Sequence, residues 1–210
     1  MRVRRIDFWT GVLVSAAFVL AAALNVTLYR ERGFLWPALG VFLPPFAAAA
    51  IWAWIATTTR HYPGDPGASS VRKHLRLTQI VVAALCVAHL AATLIERGGI
   101  RLPYGLLAPV LVGVAFVVLG NGMGRLRKNP IIGIRNAWTF HDDEVWLRTH
   151  RLLARVVVVG GLALVVTALV QPTGGRWVIG VAMILVVAAL GVRLYSFLEF
   201  RKRHGGRRDQ

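Results

Sequence analysis

Residues 152–170 read LLARVVVVGGLALVVTALV, and this stretch decides the fold class. Its single charge, Arg155, sits near its start. Crossing the hydrocarbon core of a bilayer takes about 20 predominantly apolar residues in a helix. Inside lipid every backbone amide must find an internal partner, which leaves only helices and closed barrels. The apolar residues here are contiguous and do not alternate with polar ones as in a barrel strand. A transmembrane helix is the reading that fits. Working outward, five more runs have the same character: 8–29, 36–57, 75–95, 104–121 and 177–200. The expected fold is all-α, a single transmembrane domain over 1–210 built as a bundle of about six helices.

Charge sets the expected orientation. The chain has 25 Lys and Arg and a formal net charge of +16. With the N-terminus placed inside, nineteen of these cations fall on the cytoplasmic side. Only Arg30, Arg32, Arg97, Arg101 and Arg176 fall outside, and Arg193 lies within the last helix. Cytoplasmic loops carry such an excess. Both ends are therefore expected in the cytoplasm (N-in/C-in), in a multi-pass protein of the bacterial cytoplasmic (inner) membrane. The basic charge then serves topology and anionic lipid head groups rather than nucleic acid.

The first run follows Met1-Arg2-Val3-Arg4-Arg5, as a signal peptide would. It is longer than a signal h-region and lacks a small-x-small cleavage site, so a retained helix is expected. Cys86 is the single cysteine and falls mid-helix, so no intrachain disulfide is possible.

The outer connections, 30–35, 96–103 and 171–176, are short, with Gly in each and Pro in or beside it, as tight helix-to-helix turns require. The connection 58–74 contains PGDPGASS and reads as a flexible loop. Pro44-Pro45 predicts a kink in the second run. Aromatic residues gather near the predicted interfaces, where amphipathic rings prefer to lie. Gly160-Gly161 would allow close helix contact. The basic turns before the third and fifth runs echo one another, at the level chance allows for low-complexity helices.

The connection 122–151 is different. It is the longest, and it places Trp138, Phe140 and Trp146 among its charges. A flexible linker has no use for large aromatics, so this loop is expected to be ordered and to carry the function. Asn121 ends the fourth run, and the glycines after it permit a left-handed terminus. Thr139, three residues before Asp142, suggests a capping box. Asp142, Asp143 and Glu144 then suit the first turn of a helix, where the dipole favours negative charge. Glu144 and Arg148 are spaced to pair. Trp146 and His150 share one face, with Asp143 one turn earlier on that side. This helix is expected to run on into the fifth span, with Arg151 and Arg155 snorkelling at its cytoplasmic end. The stretch lacks His-x-x-x-His and Glu-x-x-His, so no metal is expected. No nucleophile elbow, phosphate loop or CxxC is present, and neither a cofactor nor an enzyme is expected.

The stretch does carry a resemblance. Asn121 at a helix end, then Gly133-Ile134-Arg135-Asn136-Ala137-Trp138-Thr139, then Glu144-Val145-Trp146 and Arg148-Thr149-His150-Arg151, is similar to the signature of the SdpI family. Many members of that family also carry a Pro- and His-containing loop after the first helix, and residues 29–36 here hold no His. The resemblance implies a small bacterial membrane protein that protects its cell from a secreted peptide toxin. It also implies signalling to a cytoplasmic regulator protein. On the same ground Asn121, Gly133, Arg135, Trp138, Thr139, Glu144, Trp146 and His150 are the functional candidates. A purely structural role for them, folding the loop back on the bundle, stands beside that reading. Two other functions compete with it. A small transporter predicts polar residues at mid-membrane, and only Asn25, Gln79 and His89 stand out. A membrane-embedded enzyme would need Glu144 and His150 to meet, yet six positions apart they point to different sides of one helix.

Overall fold

The computed structural model describes residues 50, 53, 54, 68–171 and 176–205. The described residues are helical apart from their turns. Helix α1 is Ala68–Arg97, α2 Tyr104–Met123, α3 Ala137–His141, α4 Asp143–Val170, α5 Trp177–Val186 and α6 Val192–His204, with a π-helical turn, Val187–Gly191, joining α5 to α6. Four stretches are long and apolar enough to cross a membrane: Ser69–Glu96, Gly105–Met123, Asp143–Val170 and Trp177–His204. They correspond to the last four expected spans, the second of them beginning one residue later than expected. The runs 8–29 and 36–57, and the kink at Pro44-Pro45, lie outside the described residues, except for Ala50, Ala53 and Trp54.

The chain divides into two units, one of residues 1–63 and 75–102, the other of 64–74 and 103–210. In the first, the described part is the body of α1 and the turn after it. That turn closes by Gly98 and Ile100 donating to Leu94 and Ile95 carbonyls at 3.1 and 3.3 Å. Gly99 takes φ +87°, a conformation that glycine adopts without steric cost. Residues 68–74, expected as the end of a flexible loop, are instead the opening turns of α1.

The second unit is built on α2 and α4. Gly113 meets Gly161, Gly120 meets Val157, and Gly124 meets Ala154. The numbers fall on one helix as they rise on the other, so the pair is antiparallel. A Cβ on Gly113 would lie 2.6 Å from the Gly161 carbonyl oxygen, and one on Gly161 would lie 2.6 Å from that of Gly113. The two backbones approach this closely because neither helix has a side chain at the crossing. Small residues serve this purpose in membranes, where lipid tails remove the hydrophobic drive for helix association. Gly160 faces Ile184 of α5 in the same way. The glycine pair is thus used within the chain.

Ala188, Val192, Ser196 and Glu199 are the buried residues of the π turn and α6. Ala188 and Val192 pack with Leu153 and Val157 of α4, and Ile134 from the connecting loop closes over this cluster. Elsewhere the helices turn large apolar side chains outward, Leu169 at 65%, Ile179 at 66% and Leu190 at 66% exposure. Exposed apolar area on this scale has a natural solvent only in lipid.

Candidate functional site

The segment 122–151 is not one loop. It comprises the end of α2, an irregular stretch, the five-residue helix α3, and from Asp143 the first turns of α4. As the sequence suggested, α4 runs unbroken into the span. The left-handed helix end expected after Asn121 is absent. α2 continues to Met123 and is capped by Gly124 at φ −66°, while exposed Asn121 stays on the helix.

Two polar side chains fold the irregular stretch. Asn129 is 3% exposed. Its Oδ1 accepts from the backbone N–H groups of Ile131 and Ile132, both at 2.9 Å, and its Nδ2 donates to the Arg127 carbonyl at 2.8 Å. This turns the chain before Gly133, which adopts φ +113°. The glycine is required twice over. The backbone sits in the left-handed region, and a Cβ there would fall 2.0 Å from His150 Nε2.

His150 holds the turn to α4. The Ile134 N–H donates to its Nε2 at 3.1 Å, and its Nδ1 lies 2.8 Å from the Trp146 carbonyl oxygen. A carbonyl only accepts, so Nδ1 carries the proton and the ring is neutral. The ring stacks on Trp146 with centroids 4.0 Å apart. Trp146 Nε1 donates to the Leu126 carbonyl at 2.8 Å. Both side chains are fully buried. The shared face of Trp146 and His150 is therefore real, but Asp143 is off it, exposed and paired with Lys128. Thr149 is also fully buried, and among the described residues its hydroxyl finds no partner.

The capping box forms one step earlier in the chain than the sequence suggested. Asn136 caps α3, its Oδ1 accepting from the Thr139 N–H at 2.9 Å while Thr139 Oγ1 accepts from the Asn136 N–H at 3.1 Å. Thr139 is thus the third residue of a short helix rather than the cap of a long one. Asp142 caps α4, accepting from Glu144 N–H and Val145 N–H at 2.8 and 3.2 Å. The extended backbone at Asp142 separates the two helices.

α6 locks this assembly from the other side. Asn136 Nδ2 donates to Ser196 Oγ at 2.8 Å. Arg148 bridges Glu144 at 2.8 Å, as its spacing predicted, and also Glu199 at 2.7 Å. Arg203 reaches Asp142 at 3.1 Å. Burial works against the Asp142 charge, but its two backbone N–H bonds and Arg203 outweigh this and hold the carboxyl below its ordinary value. Trp138 packs on Phe197 at 5.0 Å, and the Arg201 guanidinium lies over the same ring.

The eight sequence candidates thus divide. Thr139, Trp146 and His150 form the interior of the folded loop, Gly133 lies exposed against the His150 ring, and Glu144 is held by Arg148. Arg135 is exposed, donating to the Pro130 carbonyl, and Trp138 is half-buried beside it. Asn121 is not brought to the others by any bond. Glu144 and His150 do not meet, and both His150 ring nitrogens are engaged. Among the described residues no three His, Cys, Asp or Glu gather as metal ligands. Asn129, Ser196 and Glu199 escaped the sequence reading. Asn129-Pro130 is a turn signal that would have found the first. The other two bond to groups about fifty to sixty residues away and leave only a weak trace, polar residues spaced three apart near the end of a span.

Residues 125–196 match the SdpI/YfhL protein family, a range that opens with the irregular stretch and closes on Ser196. Immunity protein SdpI of Bacillus subtilis (strain 168) is 30% identical over 117 residues, 55% of each chain. The chain therefore spans about half the length of this curated relative. No solved structure matches. The matched range takes in the irregular stretch, α3 to α5 and the first residues of α6 through Ser196, so residues 125–196 of this multi-pass membrane protein are similar to the SdpI/YfhL protein family.

Proposed function

We propose that this protein is an SdpI-like immunity protein of the bacterial cytoplasmic membrane, protecting its cell from a secreted peptide toxin. The loop faces the cytoplasm and offers a surface to a regulator protein. No bond chemistry is involved. One observation carries the reading: the loop is held in a single conformation by buried bonds, yet Arg135 and Phe140 stay exposed on it. A connector needs no such lock, whereas a recognition surface gains affinity from being preorganised. The Bacillus subtilis relative is an immunity protein, which supports the toxin. Arg125, Arg127, Arg135, Arg151, Arg201 and Lys202 are all exposed at the loop end of the second unit. This concentration supports a cytoplasmic loop and a C-in orientation, and with six spans an N-in one.

The test is survival of a susceptible bacterium challenged with secreted membrane-active peptides. Cells carrying the wild type, Arg135→Ala or His150→Ala are compared at matched membrane abundance. Protection by the wild type that either substitution removes supports the proposal. A correctly inserted protein that protects against no peptide overturns it.

A further inference from the structure

At the end of the second unit away from the loop, α2, α4 and α5 leave a groove of about 220 Å³. Pro109, Leu164, Ala168 and Ile184 wall it, and Gly160 and Gly180 make the room. It runs for about two turns along α4, roughly 12 Å. Arg176 and Trp177 line it where α5 begins. α5 has no acidic residue in its first turn, and among the described residues no carboxylate pairs with Arg176. An apolar slot with one unneutralised cation at its end matches an amphiphile with an anionic head. The head-group region supplies such molecules, and Trp177 belongs at that depth.

We propose that this groove binds one acyl chain of an anionic phospholipid whose phosphate is held by Arg176, in the leaflet opposite the loop. The proposal is independent of the toxin reading. Its chemistry is the same whether or not the protein confers immunity.

The experiment uses the full chain, exchanged into nanodiscs of phosphatidylglycerol and phosphatidylcholine and released for native mass spectrometry. The wild type is expected to retain phosphatidylglycerol preferentially. Arg176→Gln should cut that preference roughly fivefold, the worth of one basic residue near a membrane surface. Ala163→Leu fills the groove from an exposed position and should reduce retention of both lipids, with the melting temperature in detergent showing that it folds. Equal retention of the two lipids, or retention untouched by both substitutions, overturns the proposal. So does a groove filled by the chain itself: no retained lipid, with a cysteine at position 163 cross-linking to one placed in 36–57.

Discussion

The two halves of α4 are held in opposite ways. From Val145 to His150 the helix is fixed by polar bonds to the loop, Trp146 to Leu126 and His150 to Ile134, and to α6, Arg148 to Glu199. From Gly160 to Ala168 it is fixed by the absence of side chains, Gly161 lying against Gly113 and Gly160 against Ile184. Solvent is the reason. In hydrocarbon there is little gain from burying one more apolar group, so close approach and dispersion hold the helices. Near the aqueous interface a buried polar group that loses its partner is costly, so a satisfied network specifies one arrangement.

Gly133→Ala should have the largest effect on the polar half. It places a Cβ against His150 and forces a left-handed backbone on alanine, at a cost of about 3 kcal/mol or more. Thermal unfolding in detergent should show the loss, with Trp146 fluorescence reporting release of the stack. Gly161→Val attacks the apolar half. Overpacking there should cost about 1–3 kcal/mol and spread α2 from α4. Cross-linking between cysteines on those helices would measure the separation. If the halves are independent, the Trp146 signal should survive this change.

His150→Ala leaves a cavity and an unpaired Ile134 N–H, at about 2–4 kcal/mol. His150→Gln keeps an acceptor and should recover part of the loss in the same melt. Recovery would assign the role to the hydrogen bond rather than to ring volume.

The smallest effect concerns Asp142. Its carboxyl is held below the ordinary value in the folded protein, so its charged form stabilises the fold. That contribution is complete above its unfolded value, near 3.9, and is lost as pH falls through the lower folded value. The melting temperature of Asp142→Asn should therefore lie below wild type at neutral pH and converge with it below about pH 4.

The fold was legible where the sequence is locally periodic. Contiguous apolar runs marked α1, α2, α4 and the last helix, and the i,i+4 spacings foretold Glu144–Arg148 and the Trp146–His150 face. The loop was legible as ordered but not in its wiring. By sequence Thr139 and Asp142 form one capping box on one helix, and only the extended backbone at Asp142 shows that there are two helices. Gly133 was a candidate by resemblance alone, and the His150 ring supplies the reason no side chain fits there. Ser196 and Glu199 were invisible because their partners lie on distant segments. Within the signature, the buried members explain the folding of the loop. Arg135 is exposed and Trp138 half-buried against Phe197, so neither belongs to that interior.

A buried histidine, His150, locks this loop. The most direct measurement is amide hydrogen exchange of 131–139 in nanodiscs, wild type against His150→Ala. Protection at Ile131, Ile132, Ile134 and Thr139 comparable with that of α4, lost at Ile134 in the variant, is the predicted result. Exchange in the wild type as fast as in an unstructured peptide would contradict it.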